Sequence, residues 1–241
     1  MKYACFDETN TEHLKYWMHM WAFNHQREWY KAGIDNRTRN ITKTRLAGAD
    51  LFFALEGLID ALETGRDQIY FSAGEETESA AWQYILTWMA VGKLAVTDSC
   101  RDEFNEVNFI RLNNGAQISF LNEKSLAAGY SGNVYVSEYA WADNPDRLLK
   151  VADGISMHKR HRRTYYTTPS PSVAAFTLWQ QALENDRQWS QIVTIEDIAG
   201  NGCLYSPEDI VRLRGEMSEL EFAMLYMCQW PTRAVNQGAA L

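Results

Sequence analysis

"RNITKTRLAGADLFFALEGL", residues 39–58, decides how the rest of the chain is read. "RNITKT" (39–44) has the Ile and Thr content of a short strand. "DLFFALEGLIDALETG" (50–65) places apolar residues at helical spacing and stops at Gly65. Between them lies a short turn containing Gly48. Strand, glycine turn and helix is the arrangement in which backbone N–H groups at a helix N-terminus cradle phosphate. In the usual form a lysine and a hydroxyl residue follow the glycine. Here Ala49 and Asp50 follow it. The stretch is a broken phosphate loop, a variant one, or an ordinary strand-to-helix turn.

Outward from this stretch, strands and helices alternate. Residues 12–31 are aromatic-rich and read as helix, "DQIYFSAG" (67–74) as strand and "EETESAAWQYILTWMAVG" (75–92) as helix. "EVNFIRLNNGAQISFLN" (106–122) is two alternating strands around Asn114-Gly115, a strong hairpin signal. "GNVYVSEYAW" (132–141) and "RRTYYTTPSPS" (162–172) are strands ending in polar turns, and "SQIVTIED" (190–197) is a further strand. Residues 207–230 read as a helix broken near Met217-Ser218. The expected fold is α/β, a mostly parallel sheet sandwiched by helices with an antiparallel hairpin as insertion or edge. The expected organisation is a helical segment over 1–35, a core over 36–205, and a helical segment with tail over 206–241, all one domain.

The 241 residues are 46% hydrophobic and 13% aromatic, enough for a sizeable core. Net charge is −8, so any contact with nucleic acid must use a local patch rather than bulk charge. No apolar run approaches the roughly 18 residues of a membrane span, and the polar start "MKYACFDETNTEH" is no signal peptide. Cys5, Cys100, Cys203 and Cys228 form no CxxC pair, which removes support for zinc or dithiol chemistry and fits a reduced, cytoplasmic setting.

In sheets of this kind ligands bind beyond the carboxyl ends of the strands. Three polar turns fall there: Lys43 to Asp50, Ser137-Glu138, and Thr167 to Ser170. Together with the order "HQREWY…RTRNITKTRLAGADLFFALEGL…QIYFSAG…LNNGAQISFLN…AAGYSGNVYVSEYAW…KVADGISMHKRHRRTYYTTPS…EFAMLYMCQW", they resemble the ATPase half of the large terminase subunit of tailed phages. The likeness is to the type whose motor lysine stands at the front of the loop, and it runs from about residue 20 to 230. It implies a P-loop ATPase core of the ASCE class that binds ATP and Mg²⁺ and drives double-stranded DNA into a procapsid. The implied partners are a small terminase subunit, a portal and further copies in a ring, in the cytoplasm of the host cell.

Position by position, the resemblance implies that Gln26 senses adenine and that Lys43 reaches back to the β- and γ-phosphates from five residues ahead of Gly48. Thr44, Gly48 and Ala49 belong to the nucleotide loop, and Arg45 is the loop arginine that stabilises γ-phosphate charge. Glu138 polarises the attacking water, and Thr167, Thr168 and Pro169 couple γ-phosphate sensing to DNA movement. Each has a plain reading beside it: a solvated helix glutamine, a lysine at a strand end, a strand-end turn. The basic run "HKRHRR" (158–163) offers Lys159, Arg160, Arg162 and Arg163 to DNA phosphates or to a neighbouring subunit, or is a solvated turn.

Two departures fall on the expected metal site. The family has Ser or Thr where this chain has Asp50, and Asp where it has Ser137. Either the two have exchanged identities and still hold Mg²⁺, or the site has decayed; Asp50 also reads as a helix N-cap. A carboxylate at 4 Å from a phosphate charge costs roughly 4 kcal/mol at an effective dielectric of about 20 unless metal screens it. That is about a thousandfold in affinity, and it tilts the expectation toward weak or absent turnover. A third departure is the absence of a downstream acidic cluster for the family's two-metal nuclease. The competing expectation is a catalytically weak terminase-like binding protein, of a phage satellite or defence element, that docks on packaging components.

Overall fold

The computed structural model describes residues 7–73, 80–94, 100–102, 107–125, 128–199 and 205–231. Strands β1 (Thr38–Lys43), β2 (Gln68–Ser72), β3 (Cys100–Asp102), β4 (Val107–Arg111), β5 (Gln117–Asn122), β6 (Asn133–Ser137), β7 (Arg163–Thr167) and β8 (Trp189–Val193) form one sheet, in the order β3-β4-β5-β2-β6-β7-β1-β8. From β5 to β8 across the sheet every neighbour is parallel. β4 runs antiparallel to both β3 and β5, so the hairpin builds one edge. Its turn uses Gly115 at φ 93°, a conformation that suits a residue without a side chain. This is the mostly parallel sheet with an antiparallel hairpin that the sequence predicts.

The pleat sorts the core. Tyr70, Tyr135 and Tyr166 point to the face covered by α1 (Glu8–Trp21), α2 (Asn24–Asp35), α3 (Ala49–Thr64) and α4 (Ala80–Val91). Ile69, Phe71, Val134, Val136 and Tyr165 point to the face of α5 (Pro145–Ile155) and α6 (Val173–Leu183). With both faces covered, successive residues of β1, β2, β6 and β7 are buried whichever face they point to, polar ones on β1 and β7 included. Three helices follow β8: α7 (Ile195–Ile198), α8 (Pro207–Gly215) and α9 (Glu219–Leu225). None of the described helices is long and apolar enough to cross a membrane.

Helix α3 is buried at every residue from Phe52 to Leu62, including Glu56 and Asp60. Buried charges must be paired, and both are. The Arg39 guanidinium on β1 forks onto Glu56 and also reaches Thr164 Oγ1 on β7 and the carbonyl of Trp29 on α2. The Tyr135 hydroxyl on β6 donates to Glu56 at 3.1 Å. Asp60 accepts from Gln68 at 2.8 Å, Asn133 at 2.9 Å, and the guanidinium groups of Arg66 and Arg162. Close approach of α3 to the sheet needs Gly57: a Cβ there would fall 2.0 Å from the Tyr70 hydroxyl.

Several elements are shorter or more broken than the periodicity predicts. The helix expected over 12–31 is two helices, α1 and α2. The Arg27 guanidinium donates to the carbonyls of His19 and Ala22 and so ends α1, while the Gln26 side chain accepts from Phe23 N–H and starts α2. The helix over 207–230 breaks where expected, Ser218 accepting from Glu221 N–H to open α9, but it ends at Leu225. β6 stops at Ser137 and β7 at Thr167, the latter two residues before Pro169. Residues 74–79, expected to close β2 and open α4, and Glu106, at the start of the hairpin, lie outside the described residues, as do Cys5, Cys203 and the tail from residue 232. Removing one partner of a buried ion pair strands the other. Glu56→Ala is therefore expected to lower unfolding free energy by about 3–5 kcal/mol in urea titration. Glu63→Ala, which breaks a half-exposed pair with Lys15, is expected to cost under about 1 kcal/mol.

Candidate nucleotide site

β6, β7 and β1 are consecutive in the sheet, so the three polar turns read from the sequence lie side by side at their carboxyl ends. Lys43 ends β1 and is only 5% exposed. Its ammonium pairs with Glu138 Oε1 and donates to Thr168 Oγ1 at 3.1 Å. The other carboxylate oxygen, Glu138 Oε2, accepts from Thr168 N–H at 2.8 Å and from the Thr167 hydroxyl at 3.4 Å. Glu138 itself sits at φ 52°, ψ 38°, a left-handed conformation that costs a side-chain-bearing residue roughly 1–3 kcal/mol. Its N–H donates to Tyr166 O at 2.8 Å and its carbonyl accepts from Trp141 N–H at 2.9 Å, which hold the turn. Ser170 Oγ donates to Ala140 O at 2.6 Å, and the Trp141 indole donates to Thr168 O at 3.1 Å. The turn containing Pro169 is thereby tied to the turn after β6.

The loop from Thr44 to Gly48 is anchored at both flanks. Thr44 N–H donates to Val193 O at 2.7 Å and Arg45 N–H to Leu225 O at 2.9 Å. Gly48 stands at φ 70° immediately before Ala49, the first residue of α3. The Gln26 amide nitrogen donates to Ala47 O at 3.3 Å and Gly48 O at 3.2 Å. A Cβ on Gly48 would fall 2.9 Å from that nitrogen. His25 Nε2 meets Ala47 O at 3.0 Å, and burial lowers the His25 pKa, which keeps a neutral ring donating to the loop. Gln26 therefore touches the loop backbone through its amide nitrogen and the N–H that opens α2 through its oxygen.

Asp50 is the second residue of α3 and does not cap it. Its Oδ1 accepts from Ser137 Oγ at 2.7 Å and from the Tyr166 hydroxyl at 2.8 Å. The two unusual residues of the sequence thus touch directly. Ser137 and Tyr166 are register partners on adjacent strands, which aims both hydroxyls at one oxygen. Burial, ahead of the nearby Asp50 charge, pushes the Tyr166 hydroxyl well above its ordinary value of 10, so it remains a donor. Nothing in the sequence alone singles out Tyr166. Its signal is the strand pairing, which is a tertiary fact.

These groups line a cavity of about 640 Å³ whose wall includes Lys43, Arg45, Gly48, Asp50, Glu138 and Thr168. That is within the range of ligand pockets. The Arg45 guanidinium lies 5.8 Å over the Trp141 ring at its mouth. A second, apolar cavity of about 270 Å³ lies between Trp17, Phe23, Gln26, Phe52 and Trp88, and shares Leu46, Gly48 and Leu51 with the first. The basic run is elsewhere. It precedes β7 and so lies at the opposite end of the sheet. Arg162 is paired with Asp60 and Arg163 with Asp153, whereas Lys159 and Arg160 are exposed.

Comparison with known proteins gives the family and the fold. Residues 40–239 match the family model described as the N-terminal part of the T4-like-virus type of terminase large subunit. The terminase ATPase subunit of Escherichia phage P2 is 34% identical over 237 residues, covering 87% of this chain and 38% of the P2 protein. This chain thus spans well under half the length of that relative. Among solved structures, the HK97 bacteriophage large terminase superposes with a TM-score of 0.68 at 13% identity, over 92% of this chain and 55% of its own. The large terminase of a thermophilic bacteriophage, in complex with ADP, gives 0.64 at 12% identity, over 86% and 53%. At such identities these two speak for the fold alone. The family match and the P2 relative go further: the chain belongs to the terminase large-subunit family and corresponds to its N-terminal part.

Proposed function

We propose that the chain binds ATP at the cavity above β6, β7 and β1 and hydrolyses it to drive double-stranded DNA in a phage packaging motor. The observation that carries this reading is the convergence of Lys43, Glu138 and Thr168 with the Asp50–Ser137 pair beside the Gly48 helix N-terminus. The P2 relative is named as an ATPase subunit, and the thermophilic phage's terminase is seen in complex with ADP. Both support a nucleotide as the ligand. The first turn of α3 supplies backbone N–H groups and the positive end of the helix dipole to phosphate.

The chemistry of the donor set fits a hard divalent cation: one carboxylate, Asp50, and the adjoining Ser137 hydroxyl, all oxygen. Magnesium, when bound, would be held by Asp50 and Ser137 and would offset phosphate charge. The direct Ser137–Asp50 hydrogen bond keeps the two oxygen donors side by side, as an exchanged pair requires.

In the structure Lys43 pairs with Glu138. A triphosphate competes for that ammonium, so binding transfers Lys43 from carboxylate to phosphate. Glu138 is then left with a free oxygen to take the proton of the attacking water. Arg45, exposed at the mouth and resting on Trp141, swings to the γ-phosphate. Thr167 and Thr168 touch Glu138, and Thr168 also touches Lys43, so loss of the γ-phosphate changes their contacts and passes along the turn containing Pro169. The apolar cavity beside the loop, with Gln26 on its wall, receives the adenine. A small terminase subunit, a portal and further copies of the chain complete the motor, and exposed Lys159 and Arg160 are its candidate DNA or subunit contacts.

Two measurements test this reading. With ATP, Mg²⁺ and DNA, Glu138→Gln should lower phosphate release by at least about a hundredfold. It should also bind a non-hydrolysable ATP analogue more tightly than the parent, because Lys43 is no longer neutralised. No turnover and no nucleotide-induced rise in melting temperature in the parent would sink the proposal and favour a docking protein. The double change Asp50→Thr with Ser137→Asp should alter Mg²⁺-nucleotide affinity by less than about threefold. A gain of tenfold or more, about 1.4 kcal/mol, would mean that the native pair is decayed.

A further inference from the structure

No motif marks Tyr166, and the stack it sits in does not need its hydroxyl. The ring is 1% exposed and packs on Phe53 with centroids 4.8 Å apart. Phenylalanine would fill the same space. The hydroxyl instead donates to Asp50 Oδ1 at 2.8 Å, the same oxygen that the Ser137 hydroxyl reaches at 2.7 Å. Register pairing of Ser137 with Tyr166 makes this convergence a property of the sheet. Two donors on Oδ1 fix the carboxylate's rotation. Oδ2 takes no hydrogen bond among the described residues, and Asp50 lines the cavity together with Lys43 and Glu138.

On the nucleotide reading above, we infer that Tyr166 is a positioning residue: with Ser137 it holds Asp50 Oδ1 and presents Oδ2 to the cation that accompanies the nucleotide. A carboxylate one residue into a helix can otherwise swing about its χ angles, and a cation bound through one oxygen is sensitive to that swing. The exchange of Asp and hydroxyl between loop and strand then has a third member. Moving the carboxylate onto the loop places it within reach of β7, and a tyrosine on β7 spans the gap.

The test uses the whole chain and ADP as probe, with binding measured calorimetrically in Mg²⁺ and again in EDTA. Tyr166→Phe is expected to leave ADP affinity in EDTA within about twofold of the parent. The enhancement by Mg²⁺ should fall by roughly tenfold or more, the usual cost of losing a group that orients a metal ligand. Mn²⁺ in place of Mg²⁺, followed by electron paramagnetic resonance with ADP present, should show weaker metal occupancy. Ser137→Ala removes the other donor to the same oxygen together with the hydroxyl proposed to reach the cation, so it serves as the second arm of the cycle and not as a control. The two changes combined should be non-additive in their effect on Mg²⁺ enhancement, a result that holds even if Tyr166→Phe lowers stability. The inference is overturned if Tyr166→Phe keeps the parent's Mg²⁺ enhancement. Equal loss of ADP affinity with and without metal also overturns it, because that is the mark of a merely structural role. If the parent binds no ADP in either buffer, the nucleotide reading itself fails, and this inference falls with it.

Discussion

Arg39 and Glu56 form an ion pair whose side chains are 1% and 2% exposed, and the position of α3 over the sheet depends on it. The guanidinium is covered by the Phe53 ring at 5.0 Å and shared with Thr164 and the Trp29 carbonyl. Tyr135 adds a hydroxyl to the carboxylate. One pair therefore ties together β1, β6, β7, α2 and α3. Isolated burial of either charge would cost several kcal/mol, so α3 can settle at only one height along β1. Glu56 lies six residues after Asp50, about 9 Å along the helix at 1.5 Å per residue. Fixing Glu56 fixes how far Asp50 stands from the ends of β6 and β7, and so whether Ser137 and Tyr166 can reach it.

The foot and the top of the sheet are built on opposite electrostatic terms. At the foot, Asp60 is surrounded by Arg66, Arg162, Gln68 and Asn133, and the charges are consumed internally. At the top, Lys43 and Glu138 face a cavity open to solvent and are held only by each other and two threonines. The first arrangement is held by many partners at once, so losing one contact leaves the others in place. The second rests on few contacts, and its charged groups line a cavity rather than a closed core.

Much of this was legible in the chain. Alternation and the Asn114-Gly115 turn point to the sheet and its hairpin edge, and the helix expected over 50–65 with its stop at Gly65 lies one residue off α3 at each end. Lys43, Ser137, Glu138, Thr167 and Thr168 were all read as strand-end residues and do meet at one site. The break between α1 and α2 was hidden, because it is made by side chains, Gln26 and Arg27, whose capping role depends on reach rather than on periodicity. The division of the basic run was hidden too: Arg162 and Arg163 look like free charges until Asp60 and Asp153 are seen beside them. Tyr166 was invisible for the same reason. Its meaning comes from the pairing of β6 with β7, which sets it beside a residue 29 positions earlier in the chain.

Gln26 joins two parts of the molecule that lie far apart in the chain. One end of its amide accepts the N–H that starts α2, and the other end grips the carbonyls of Ala47 and Gly48. A side chain with both ends engaged behaves as a strut. If the loop shifts, the strut must rotate with it or release Phe23 N–H, and Phe23 is the joint between α1 and α2. The aromatic helix pair at the front of the chain is thus geared mechanically to the loop, and displacement at one end is transmitted as a change of angle at the other.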